Sequence, residues 1–158
     1  MRNPFIFEKE VDGENFCNRK KEIKELFSTI MSSQNIILFS QRRFGKTSLI
    51  KVVLDKLKKK DVETVYIDLY PVLDEKSFIK IYAESITKSL LGKTEKALKQ
   101  IGSIFKSFKP GITVDDSGNL KFIVDVEKND TSSLLEDVIE SVHNYVTKKK
   151  KKGVVVFD

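Results

Sequence analysis

Residues 40–47 are Ser40-Gln41-Arg42-Arg43-Phe44-Gly45-Lys46-Thr47, a stretch that follows an apolar run and precedes a helical pattern. The rule for a phosphate-binding loop (Walker A) is G-x-x-x-x-G-K-[ST]. Every fixed position is met here except the first, where serine replaces glycine. Consecutive backbone N–H groups closed by a helix N-terminus form a positive concavity that fits a chain of phosphates. The stretch therefore predicts a loop that binds a nucleotide.

The residue types of this loop predict separate roles. Gly45 allows the backbone to approach the ligand closely, and Lys46 is expected to contact the β- and γ-phosphates. The Thr47 hydroxyl is expected to ligate Mg²⁺, which prefers hard oxygen donors. The backbone amides from about Arg43 to Ser48 are expected to line the phosphates. We therefore predict nucleotide contacts from Ser40, Gln41, Arg42, Arg43, Phe44, Gly45, Lys46, Thr47 and Ser48.

The flanks of the loop make the prediction specific. Residues 35–39 are Asn35 followed by four apolar residues, a pattern that predicts a buried strand. Apolar residues then recur at helical spacing after the loop, at Leu49, Ile50, Val53, Leu54 and Leu57. A second G-K-T tripeptide, at residues 92–94, follows an amphipathic helical pattern and is interpreted as a helix end. A G-K-[ST] tripeptide alone is expected by chance in about one chain of this size in ten. The residues on either side of the tripeptide are therefore needed to identify a phosphate-binding loop.

The composition is that of one ordinary domain. The chain has 158 residues, 40% of them apolar, and 29 Lys and Arg against 23 Asp and Glu, for a net charge of +6. Cys17 is the only cysteine, which excludes an internal disulfide and a cysteine-type metal site. The charged N-terminus does not fit a signal peptide, and no segment approaches the ~20 apolar residues of a membrane span. We expect a cytoplasmic location and no membrane partner.

The periodicity predicts an α/β chain. We expect strands at residues 62–69 and 153–157, and helices around residues 18–31, 49–57, 78–90, 97–108 and 134–145. Turn-forming residues 115–119 lie between two apolar stretches and predict a β-hairpin inserted at residues 111–126. The same turn fits the D-x-x-G pattern of GTPases at Asp115 and Gly118. That interpretation is disfavoured because no N-K-x-D motif is present and an alternating strand follows directly.

Two further features have a structural and a functional interpretation. His143 has no metal-ligand pattern around it, so a structural or surface role is expected. The lysines at residues 58–60 and 148–152 are interpreted as solvated helix ends. The alternative is a patch for nucleic acid or an acidic protein partner, because basic runs supply non-specific affinity for phosphate.

The chain ends with four apolar residues in strand form followed by Asp158, which is the Walker B pattern. In phosphate-binding-loop proteins the aspartate at this place holds Mg²⁺ together with the Ser or Thr of the loop. We therefore predict Thr47 and Asp158 as metal ligands, and Lys46 and Asp158 as catalytic residues.

Together these motifs resemble the archaeal-type ATPase family, a P-loop group related to the AAA+ and STAND ATPases. The resemblance rests on Asn3-Pro4-Phe5, Phe16-x-x-Arg19-x-x-Glu22-Ile23, residues 39–50, Tyr66-Ile67-Asp68-Leu69 and residues 154–158. It implies a P-loop NTPase three-layer sandwich with a parallel sheet, ATP and Mg²⁺ as cofactors, and Arg19 with its helix near the adenine. The expected domain is residues 1–158.

The chain also departs from the family pattern. Ser40 does not freely adopt positive φ, so a reduced nucleotide affinity is expected. The glutamate, sensor strand and C-terminal region that the family places after the Walker B aspartate are not in the printed sequence. We therefore expect the N-terminal portion of an ATPase domain, with a sheet incomplete at its C-terminus, which binds ATP but hydrolyses it poorly. The alternative is a non-catalytic fragment that binds nucleic acid or an acidic partner through its lysines.

Overall fold

A computed structural model of the protein describes residues 19–91, 109–114, 120–125 and 131–158. The chain forms two compact units, Met1–Asp61 and Val62–Asp158. In the described ranges the regular elements are four α-helices, one π-helix and four strands. The protein is therefore α/β, and the parallel sheet within these ranges has two strands.

The first unit contains two helices that contact each other, α1 (Lys20–Met31) and α2 (Lys46–Lys58). Both were predicted from their apolar spacing. Ile23 is buried on α1. On α2 the buried apolar residues are Leu49, Val53, Leu54 and Leu57. Because these residues recur three or four positions apart, they form one apolar stripe along α2.

The prediction of a strand at residues 35–39 is wrong. Residues 34–41 have no regular secondary structure, and the side chains of Ile37 and Phe39 are 77% and 86% exposed. A strand needs a neighbour to accept and donate the hydrogen bonds of its N–H and C=O groups. The regular elements described in the first unit are both helices, which offer no such edge.

The second unit is organised by a parallel pair of strands, β1 (Glu63–Ile67) and β4 (Gly153–Phe157). Their register runs from Glu63 opposite Gly153 to Ile67 opposite Phe157. Parallel neighbours need a long crossover connection, and here it includes every other element of this unit. Both strands were predicted, although β1 is shorter at each end than the predicted residues 62–69.

Helices α3 (Glu75–Ile86) and α4 (Thr131–Lys148) contact each other, and α3 continues into a π-helix at Thr87–Leu91. A capping box starts α3: the Asp74 side chain accepts from the Ser77 backbone N–H, and the Ser77 hydroxyl accepts from the Asp74 N–H. The two helices and β1 enclose one apolar core. Its buried residues are Val65, Ile67, Ile79, Tyr82, Ala83, Ile86, Leu90, Leu134, Val138, Val142 and Tyr145.

The predicted hairpin forms, with β2 (Lys109–Val114) paired antiparallel to β3 (Leu120–Asp125). Its role as an insertion in a larger domain stays a prediction. The turn at residues 115–119, the helix predicted at residues 97–108 and the second G-K-T at residues 92–94 lie outside the described residues.

The lysines at residues 148–152 form a helix end and a turn before β4, as predicted. The Lys151 N–H donates to the Val146 carbonyl at 2.9 Å, and the Lys150 N–H donates to the Thr147 carbonyl at 3.0 Å. This pair of bonds is the Schellman motif, which requires a left-handed residue and usually uses glycine. Here Lys150 occupies that position, with φ of 54°.

Replacing Lys150 with glycine is expected to stabilise the protein. A left-handed residue other than glycine costs about 1 kcal/mol, and the extra freedom of glycine in the unfolded chain offsets part of that gain. We expect a net gain of about 0.5 kcal/mol in the free energy of unfolding, measured by urea denaturation. The control Lys148→Gly, at a right-handed helical position, should instead lose about 0.5 kcal/mol. Equal effects of the two substitutions would contradict this account.

Replacing Gly153 with alanine is expected to destabilise the second unit. The added Cβ would lie 2.7 Å from Cγ1 of Val146, closer than carbon atoms pack. Overpacking of this kind costs about 1–3 kcal/mol. Thermal unfolding of Gly153→Ala measures the cost, and the same substitution in a Val146→Ala background provides the control. If Val146→Ala removes none of the cost, the clash is not its cause.

Candidate functional site

The predicted phosphate-binding loop turns sharply at residues 41–44. The Phe44 N–H donates to the Gln41 carbonyl at 3.3 Å, and Arg43 has a left-handed φ of 67°. Ser40 donates from its hydroxyl to the Gln41 carbonyl at 3.3 Å. The side chains of residues 41–44 are exposed. The defined feature of this segment is therefore the course of its backbone.

Gly45 joins the loop to α2 as its N-cap residue. Its φ of 67° and ψ of 31° lie in the left-handed region, which glycine adopts without the steric cost that a Cβ brings. Its carbonyl accepts the Leu49 N–H at 2.9 Å, the first hydrogen bond of the helix. Lys46 and Thr47 consequently lie in the first turn of α2, at the positive end of its dipole. That turn contains no acidic residue that would compete with a bound anion.

Arg19, just before α1, holds the end of this loop. Its Nη1 donates to the Phe44 carbonyl at 2.9 Å and to the Gly45 carbonyl at 3.4 Å. In a trans peptide the C=O and the following N–H point in opposite directions. The amides of Gly45 and Lys46 are therefore directed away from the guanidinium. By binding these carbonyls, Arg19 determines the direction in which the backbone N–H groups at the end of the loop point.

Glu22 orients the Arg19 guanidinium. Nε of Arg19 donates to both carboxylate oxygens of Glu22, at 2.9 and 3.0 Å, and Nη2 also pairs with this carboxylate. The hydrogen bond from Arg19 lowers the pKa of Glu22 below its usual value and raises the pKa of Arg19. This ion pair therefore contributes at pH values above the ordinary pKa of a glutamate and is lost as the pH falls through the lowered one. Since both groups are partly exposed, salt screens it.

Asp158 belongs to the second unit, where it follows β4 at the carboxyl end of the two parallel strands. Its N–H donates to the Ile67 carbonyl at 3.0 Å, and its own carbonyl accepts the Leu69 N–H at 2.8 Å. The Tyr66 hydroxyl donates to Oδ2 of the Asp158 carboxylate at 2.8 Å. Both the backbone and the side chain of Asp158 are thus held by β1 and the residues that follow it.

The sequence alone gave no role to Tyr66 beyond its place in the motif Tyr66-Ile67-Asp68-Leu69, and it did not show that Arg19 contacts the loop. Tyr66 lies on β1 between the buried Val65 and Ile67, and this alternation places it on the opposite face. The alternation is visible in the sequence, but its neighbour Asp158 is 92 positions away. The proximity of Arg19 to the adenine, implied by the family resemblance, stays a prediction.

The other candidates have simpler surroundings. His143 is exposed on α4. Within the lysine run, Lys149 pairs with the Tyr145 hydroxyl, and Lys151 lies 3.3 Å from a carboxylate oxygen of Glu63. The part of the chain that the structure describes holds no group of three or more His, Cys, Asp or Glu side chains arranged for a metal ion. Across the same ranges no helix combines the length and the apolar content needed to cross a membrane.

Residues 16–158 match the family model described as an ATPase domain predominantly from Archaea. The match includes Arg19, the loop at residues 40–47 and Asp158. No curated protein and no solved structure matches the chain.

Replacing Arg19 with glutamine is expected to loosen the loop. Loss of the bonds to the Phe44 and Gly45 carbonyls removes about 1 kcal/mol of local stability. The fraction of molecules in which the loop is locally unfolded then rises about fivefold. Trypsin cleavage after Arg42 and Arg43, followed by mass spectrometry at low protease, measures that population. Glu22→Gln keeps the Nη1 bonds and should have a smaller effect. Unchanged cleavage in Arg19→Gln would show that Arg19 does not hold the loop.

Proposed function

Since the chain belongs to the ATPase domain family found predominantly in Archaea, we propose that it binds ATP with Mg²⁺ through the loop at residues 40–47 and the start of α2. Lys46 contacts the β- and γ-phosphates, and the amides from Arg43 to Ser48 surround them. Thr47 and Asp158 supply oxygen ligands to the magnesium ion. When bound, that ion neutralises charge on the phosphate oxygens.

The observation that carries this proposal is the conformation at the end of the loop. Gly45 is left-handed and caps α2, while Arg19 draws the Phe44 and Gly45 carbonyls to one side. The amides of Gly45 and Lys46 then face the other side together, at the positive end of the helix dipole. Such a group of amides fits an anion of several phosphates better than it fits a cation or an apolar ligand.

The donor types also suit magnesium. Mg²⁺ in nucleotide sites keeps several waters and takes one or two protein oxygens together with phosphate oxygens. A hydroxyl at Thr47 and a carboxylate at Asp158 meet that need without a cluster of several acidic residues. The orderly position of Asp158 at the end of β4 supports its assignment as one of these ligands.

The fold and domain assignments extend the same proposal. We propose a P-loop NTPase sandwich in which residues 1–158 belong to one ATPase domain and residues 111–126 are an inserted hairpin. The parallel pairing of β1 and β4 supports this, because parallel sheets with helical crossovers are typical of α/β nucleotide-binding proteins.

We propose that binding is more effective than turnover. Hydrolysis needs a group that orients the attacking water, and a positive charge that stabilises the transition state. The roles proposed for Lys46, Thr47 and Asp158 are contacts with phosphate and metal, which are distinct from orienting the attacking water. Phosphate release that is slow compared with ATP binding is therefore the expected behaviour.

Replacing Lys46 with alanine is expected to weaken binding of a fluorescent ATP analogue at least tenfold. The lysine forms charge-assisted contacts with phosphate, worth about 1.5–3 kcal/mol. Titration with the N-methylanthraniloyl derivative of ATP, with and without Mg²⁺, measures the change. The control Lys56→Ala removes an exposed lysine from the same helix, about 15 Å further along its axis, and should bind as the wild type does.

Three outcomes would count against the proposal. Wild-type protein that does not bind the analogue, or Lys46→Ala protein that binds it normally, would exclude this loop as the nucleotide site. Association with DNA or RNA that falls steeply with salt and is indifferent to ATP would instead favour the lysine runs as the functional feature.

A further inference from the structure

The hydrogen bond between Tyr66 and Asp158 connects a residue inside β1 to the predicted Walker B aspartate. The phenol hydroxyl lies 2.8 Å from Oδ2, a normal distance for a hydrogen bond to a carboxylate. The pair is partly buried, which makes the bond stronger than it would be in bulk water. The backbone of Asp158 is fixed independently, by its bonds to Ile67 and Leu69. The Tyr66 hydroxyl therefore acts on the orientation of the Asp158 carboxylate and not on the Asp158 backbone.

We infer that Tyr66 is a positioning residue for the metal site: its hydroxyl sets the orientation of the Asp158 carboxylate, and thereby the affinity of the nucleotide complex for Mg²⁺. The inference rests on the proposed function, since it concerns the same aspartate. A carboxylate on a short side chain rotates about two bonds, and a hydrogen bond to one oxygen reduces that freedom before the metal arrives. Hydrogen-bond partners of metal ligands typically change metal affinity about 10–100-fold when they are removed.

The register of the sheet explains why Tyr66 can do this. Tyr66 pairs with Val156 and Ile67 pairs with Phe157, so Asp158 is the next residue along β4 beyond the paired strands. In a parallel pair, residues two apart along a strand lie on the same face. Tyr66 and Asp158 consequently share the face opposite the buried Val65 and Ile67, and the long phenol spans the diagonal between them.

The test uses Tyr66→Phe, which removes the hydroxyl and keeps the ring. At a saturating concentration of the fluorescent ATP analogue, the Mg²⁺ concentration that gives half of the metal-dependent signal should rise about tenfold. Affinity for the analogue in EDTA should stay unchanged, because the phenol contacts the carboxylate and not the nucleotide. Tyr70→Phe is the matched control, since Tyr70 is 94% exposed, and it should leave both values unchanged.

A second set of measurements separates positioning from simple stabilisation. In an Asp158→Asn background, adding Tyr66→Phe should cause no further shift in the Mg²⁺ midpoint, because the carboxylate that it orients has gone. A merely structural role would give additive shifts. Thermal unfolding of each variant shows that the titrations are made on folded protein.

A third measurement needs no nucleotide. The chain has four tyrosines and no tryptophan, so its intrinsic emission comes from tyrosine. A hydrogen bond from a phenol hydroxyl to a carboxylate quenches the fluorescence of the tyrosine. Asp158→Asn should therefore brighten the protein, and Tyr66→Phe in the same background should abolish that increase.

The outcomes distinguish the inference from the proposed function. Wild-type protein that does not bind the analogue overturns both. Wild-type protein that binds it with Mg²⁺, together with an unchanged Mg²⁺ midpoint in Tyr66→Phe, overturns the role of Tyr66 and leaves nucleotide binding intact. Additive shifts in the double substitution, or no brightening in Asp158→Asn, also overturn it.

Discussion

The parallel ladder between β1 and β4 is the constraint on which the second unit depends. It aligns the two ends of that unit, and its hydrogen bonds continue past the last strand residue to Asp158. Helices α3 and α4 pack their apolar faces around the core that β1 enters, which keeps β1 and β4 in register. The ladder also brings Tyr66 to Asp158 across 92 positions of sequence. Without this pairing neither the core nor the orientation of the aspartate would be defined.

The phosphate-binding loop depends on a different, mainly local, constraint. Left-handed backbone at Arg43 and Gly45 turns the chain into α2, and at Gly45 the absence of a Cβ makes that conformation inexpensive. Arg19 adds a contact from outside the loop, and Glu22 holds Arg19 in place through a salt-sensitive ion pair. The loop thus combines a backbone geometry encoded within it with contacts from Arg19, the residue that precedes α1.

The helices illustrate what could be predicted from sequence and why. All four described α-helices were predicted, because an apolar residue every three or four positions produces a face that must be buried. The strand at residues 35–39 was predicted from a continuous apolar run, not from apolar spacing, and it does not form. Apolar composition indicates that a segment is compatible with a buried strand. A strand also requires a neighbouring strand that pairs with its backbone N–H and C=O groups. The strands β1 and β4 succeed because each is the other's partner.

For the candidate site, the sequence by itself determined the chemistry available: a Gly-Lys-Thr loop before an amphipathic helix, and an aspartate after an apolar strand. Those are short-range patterns, which local backbone geometry is sufficient to interpret. The tertiary structure decided that Arg19 contacts the loop carbonyls and that Tyr66 holds Asp158. Both contacts join residues far apart in the chain. Their geometry follows from helix packing in one unit and strand register in the other, which no local pattern encodes.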